Sequence, residues 1–184
     1  MYNKCYGAHA GESAEGIFDR KILDTKKTGK TFWLIKSHQA KPDMIQEILM
    51  EAQNANVEVK VYFVEPSTQG GAIPTKTSES AKYYSQDRIK WELLPPDIGP
   101  VTGSINTSAY ALVMDKLELS NNNLDLWQYA DFFNQDKPIK IFQGASTLCA
   151  IKKTIENPDN RIKSHTREIV AFGRLCHPGG VWLK

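Results

Sequence analysis

Cysteine is sparse in this chain of 184 residues: Cys5, Cys149 and Cys176 form an odd set with no C-x-x-C pair. That argues against a disulfide-stapled framework and a four-cysteine zinc module, and leaves free thiols as the expectation. Long apolar runs are lacking too. Stretches such as Phe32 to Ile35 fall far short of the about 20 residues a membrane-spanning helix needs. No apolar h-region follows Met1-Tyr2-Asn3-Lys4-Cys5, so a cytoplasmic protein without a membrane partner is expected. Net charge is only +2, too small to imply a polyanionic partner by itself.

What is present is an ordinary globular composition, 41% hydrophobic, at a length that one core can organise. Residues 1–16, rich in small side chains, read as a flexible N-terminal arm, and residues 17–184 as a single α+β domain. Ile17 to Leu23 and Thr31 to Ser37 read as two strands around Lys26-Lys27-Thr28-Gly29-Lys30. Lys41-Pro42-Asp43 opens a helix, with Ile45, Ile48, Leu49 and Ala52 at helical spacing. Val57, Val59, Val61 and Phe63 then alternate with polar neighbours as a strand does. The order strand, helix, strand is an N-terminal βαβ segment, and a crossover between parallel strands of one sheet should be right-handed.

The second half reads as strand-rich. A short helix is expected over 78–86 and a strand over 88–94. Tyr110 to Leu119 and Leu124 to Phe133 form a hairpin about Asn121-Asn122-Asn123. A helix begins near Ser146 and carries Leu148, Ile151 and Ile155 on one face. A last hairpin turns at His177-Pro178-Gly179-Gly180. The architecture expected is a mixed, partly barrel-like sheet.

Charge is unevenly distributed. From Arg20 to Lys41 there are seven basic residues against one acid; from Lys152 to Lys184, seven against three; from Asp115 to Asp136, five acids against one lysine. The first segment, as a basic hairpin, offers Lys26, Lys27, Lys30 and Lys36 to phosphates, and Trp33 as a ring on which a base stacks. Lys152, Lys153, Arg161, Lys163, Arg167 and Arg174 would extend that surface if the fold brought both segments to one face. The reading is a nucleic-acid-binding accessory protein without a cofactor. The alternative is a protein-interaction module or inhibitor, which would dock through Asp125, Trp127 and Asp131 on one face of the acidic hairpin.

Other motifs carry less. Gly29-Lys30-Thr31 matches the end of a phosphate-binding GxxxxGK[ST] loop, but Asp24 stands where the first glycine belongs, and a strand follows in place of a helix. Cys149, read in the first turn of a helix, would have a lowered thiol pKa there. With His38, His165 or His177 as base it would make a cysteine-dependent hydrolase or transferase, a second alternative. Cys5, His9, Cys176 and His177 do not match zinc spacing, because adjacent strand residues face opposite ways. Phe32-Trp33-Leu34-Ile35-Lys36-Ser37 resembles the opening strand of EVE-type domains, PUA-like folds associated with modified bases. The tryptophan–glycine and arginine–asparagine pattern of that family does not follow, so the resemblance implies no fold, ligand or site residue here.

Overall fold

A computed structural model describes residues 2–4, 14–35, 42–64, 80–101, 109–125, 128–131, 148–149, 151–153 and 166–184. In chain order the elements are β1 (Tyr2–Lys4), α1 (Ala14–Thr28), β2 (Thr31–Ile35), α2 (Pro42–Asn54), β3 (Val59–Val64), β4 (Tyr83–Ser85), β5 (Glu92–Leu93), β6 (Ala109–Leu119), β7 (Asn123–Asp125), β8 (Tyr129–Asp131), β9 (Leu148–Cys149), β10 (Ile151–Lys153) and β11 (Thr166–Leu183). The main sheet runs β2-β6-β11-β3-β1-β9, while β8 and β10 pair separately. This is a mixed α+β sheet, with β1 and β3 parallel. It is not closed into the partly barrel-like form expected from the strand count: β2 and β9 end the order, and no described ladder joins them.

The first basic segment is not a hairpin. Residues 14–28 form α1, which stops where Gly29 takes a φ of 77° and donates its N–H to the Thr25 carbonyl at 3.0 Å. Glycine enters that left-handed region without a side-chain penalty, the usual helix C-terminal stop. Within the stretch read as an arm, Tyr2–Lys4 pairs with β3, and Ala14–Gly16 belong to α1. The helix of the βαβ segment begins at Pro42, as its sequence demands. However, β2 and β3 run antiparallel with β6 and β11 between them, so no parallel crossover arises.

β11 is an 18-residue strand and the spine of the sheet, paired with β3, β4, β6 and β7. The expected turn at His177–Gly180 is instead a bulge. Both Arg174 and Val181 pair with β6 in the same antiparallel sense, opposite Lys116 and Ala111. An extra stretch in one strand kinks the ladder without reversing it. The asparagine turn fails for a related reason. β7 continues along β11, with Glu168 opposite Asn123. Among the described residues only Asn56 and Arg88 are non-glycines at positive φ, so Asn121–Asn123 lack the geometry of a tight reversal.

Two further helices of the sequence reading hold strands where their residues are described: Tyr83–Ser85 is β4, and Leu148–Cys149 and Ile151–Lys153 are β9 and β10.

Period-two alternation splits β6 between two cores. Tyr110, Leu112 and Met114 face the helices, against Phe18 of α1 and Ile45, Ile48 and Ala52 of α2. Ala111 and Val113 face the other way, with Phe32, Val101, Val181 and Leu183, under Tyr84, Leu94 and Ile98. Burying a large side chain contributes about 1.5–3 kcal/mol, so both layers hold the sheet. The second layer fixes the segment 80–101 on the face away from the helices.

Candidate nucleic-acid interface

β4 and β5 form a short antiparallel tongue, with Tyr83 opposite Leu93 and Tyr84 opposite Glu92. Its turn is organised by one carboxylate. Asp87 Oδ1 accepts the N–H of Ile89 at 2.7 Å and of Lys90 at 3.0 Å, and the Ser85 hydroxyl at 3.0 Å. These N–H donors, Lys90 and then Ile89, hold the Asp87 carboxyl below its ordinary pKa. Arg88 sits at φ 65° and donates its N–H to Ser85 Oγ. The turn therefore has a defined shape despite lying at the surface.

Cations and rings alternate around this tongue. The Arg88 guanidinium lies 3.3 Å from the centroid of Trp182, Lys184 Nζ is 4.1 Å over Trp91, and Lys30 Nζ is 6.0 Å over Tyr84. All three are within cation–π range. The Trp91 indole N–H donates to the Arg88 carbonyl at 3.2 Å. Tyr84 donates its hydroxyl to Glu92 Oε2 at 2.7 Å, which raises the phenol pKa. Backbone bonds tie β4 to the end of β11: Lys82 N–H and Tyr83 N–H both donate to the Lys184 carbonyl.

The Lys30 contact brings the junction of α1 and β2 to β4. Lys26 and Lys27, exposed on the last turn of α1, extend the surface on that side. Lys82, Arg88 and Lys90 stand on the segment 80–101 with the acids Asp87, Glu92 and Asp97, and Lys184 lies over Trp91. Lys90 and Glu92 are 4.0 Å apart and exposed, an ion pair too solvated to fix either side chain.

Of the residues read as a basic hairpin, Lys26 and Lys27 lie in the last turn of α1 and Lys30 at its junction with β2. Trp33 is corrected: its ring stacks on Phe18 at 5.1 Å and meets Phe63 at 4.4 Å, packed against the helix-side core. The half-buried ring is engaged by protein side chains on that face.

Of the second basic segment, Lys184 lies at the tongue, over Trp91, while the other described basic residues are placed elsewhere. Lys152 and Lys153 lie in β10, which follows β9 at the sheet edge opposite β2. Arg167 is in β11 opposite Leu124. Arg174 is engaged at 2.7 and 3.1 Å by both oxygens of Asp115 and at 2.8 Å by Glu58. Those bonds lower the Glu58 pKa and raise that of Arg174. Lys36, Arg161 and Lys163 lie outside the described residues.

The acidic face is divided as well. Asp125 belongs to β7 on the main sheet and accepts from Gln128 Nε2 at 3.5 Å, whereas Asp131 belongs to β8 and pairs with β10. Trp127 lies outside the described residues. Cys149 is in β9, paired with Tyr2, so the helix N-terminus that would lower its thiol pKa is not there. Cys176 is half-buried, and desolvation pushes its thiol up to about 11. His38 and His165 are outside the described residues. Among the described residues, no three His, Cys, Asp or Glu side chains are placed to hold a metal, and no helix is long and apolar enough to cross a membrane.

The sequence reading missed Lys82, Tyr83, Arg88, Ile89, Lys90, Trp91 and Lys184. The signal was present in Arg88-Ile89-Lys90-Trp91, where cations alternate with large apolar side chains. A surface of this kind can hold a polyanion and offer rings to stack against. Compared with protein-family models, curated proteins and solved structures, the chain finds no match.

Proposed function

We propose that this protein is a nucleic-acid-binding accessory factor whose contact surface is the β4–β5 tongue together with the α1–β2 junction. The observation that carries the reading is the set of three cation–ring contacts, Arg88 on Trp182, Lys184 on Trp91 and Lys30 on Tyr84, each with one partner on the segment 84–91. Lysine and arginine neutralise phosphates and release counterions, while nearby rings supply stacking surfaces. Lys82, Arg88 and Lys90 on the segment 80–101, Lys184 over Trp91 and Lys30 over Tyr84 supply the cations.

The test is fluorescence anisotropy with labelled DNA and RNA of mixed sequence, titrated at low and near-physiological salt. Log K should fall linearly with log salt, with a slope of about −3 to −5 if about five phosphates are engaged. Absence of binding at low salt ends the reading.

A further inference from the structure

We infer that the β4–β5 tongue takes its polynucleotide single-stranded, with unstacked bases laid on Tyr83, Ile89 and Leu93 between the cations; this rests on the reading above and adds the form of the ligand. Among the described residues, few large apolar side chains are exposed, and three of them share this tongue: Ile89 at 83%, Leu93 at 70% and Tyr83 at 39% exposed. Tyr83 and Leu93 are direct cross-strand partners, so they form one patch. Ile89 stands on the turn between Arg88 and Lys90, and its N–H is held by Asp87.

The pattern is alternation. Around the turn, Arg88, Ile89, Lys90 and Trp91 run cation, apolar, cation, ring. A single strand presents the same alternation, a charged phosphate and an apolar base face at each step. A duplex does not: its base faces are stacked inside, and only hydrogen-bonding edges remain in the grooves. Ile89 and Leu93 have no group that reads such an edge. They can meet the face of a splayed base.

A basic, apolar tongue also suggests an anionic lipid surface, but there the two characters segregate to opposite faces. Here Ile89 cannot enter hydrocarbon without drawing Arg88 and Lys90 down with it, so the polynucleotide is favoured.

The experiment uses the full chain and a labelled oligonucleotide of about 12 nucleotides, within the site sizes such surfaces occupy. It is presented as DNA, as RNA and as the DNA duplex at one near-physiological salt. The single strands should bind about tenfold tighter than the duplex. Ile89→Ser with Leu93→Ser should remove that preference and leave the salt slope unchanged, because no cation is altered. Ile89→Trp should tighten single-strand binding. Since these side chains are exposed, circular dichroism and the melting temperature should be unchanged.

Duplex binding equal to or tighter than single-strand binding overturns the inference while leaving the basic-surface reading intact. So does a preference that survives the double serine variant. Binding to vesicles containing phosphatidylserine, with none to any polynucleotide, overturns both.

Discussion

Gly99 donates its backbone N–H to Asp24 Oδ1 at 2.7 Å, across 75 positions of sequence. Asp24 is 2% exposed; its other oxygen accepts the Thr31 hydroxyl at 3.0 Å and lies 3.4 Å from Lys21 Nζ. One carboxylate thus joins α1, the start of β2 and the loop that carries the tongue. The aspartate that breaks the resemblance to a phosphate-binding loop is a structural hub.

Asp24→Ala should therefore destabilise the fold by about 3 kcal/mol, since it strips partners from buried donors. Asp24→Asn, which keeps one carbonyl acceptor, should cost less. Urea unfolding of the three proteins checks the order.

Charge reversal should separate the two basic regions. Lys30→Glu, Lys82→Glu and Lys90→Glu should each weaken nucleic-acid binding and flatten the salt slope by about 1. Lys152→Glu with Lys153→Glu, on β10, should leave affinity unchanged. The anisotropy titration reads both.

Arg174 should behave as a structural residue. Arg174→Ala releases Asp115 and Glu58 from its guanidinium, and should lower Tm modestly while leaving affinity for nucleic acid as it was. A loss of binding without a change in Tm would place Arg174 at the interface instead.

Burial pushes the Tyr110 phenol up to about 12, with Asp43 adding to the shift. Between pH 10 and 12 the unfolded chain has released a proton that the folded chain keeps, so this residue's contribution to stability falls as pH rises through that window. The loss is about 2–3 kcal/mol. Tyr110→Phe should remove that part of the alkaline dependence, read as the difference between the two proteins' unfolding curves against pH.

Gly179 has a φ of 79°, and a Cβ there would strike Leu49 and Ile45 of α2. Gly179→Ala should cost about 2 kcal/mol from backbone strain and overpacking together. Differential scanning calorimetry should show the lowered Tm.

The legible parts of the fold were those whose buried face is apolar. α2 declares itself through Pro42, Asp43 and the buried trio Ile45, Ile48 and Ala52, and β3 through alternating valines. α1 hid because its buried positions Phe18, Lys21 and Asp24 have helical spacing but two of the three are charged. The glycines and proline at 178–180 mark a change in backbone geometry, and the same residues serve a reversal or a bulge. Only the partner strand decides between them, and that lies about 70 residues away in β6. For the site, the lysines near Gly29 were legible as a charge run. The approach of Lys30 to Tyr84 was not, because it depends on how the second layer packs.

The position of β11 has a kinetic consequence. It is the shared neighbour of β3, β4, β6 and β7, yet most of those strands lie far from it in sequence; Arg174 and Glu58 are 116 positions apart. Each ladder along it closes a long loop before any pairing energy is returned, which is the condition for slow folding. Until β11 docks, β3 and β6 each present an unpaired edge of apolar side chains, open to the same edges on another chain. The period of greatest aggregation risk is thus the interval before one strand arrives.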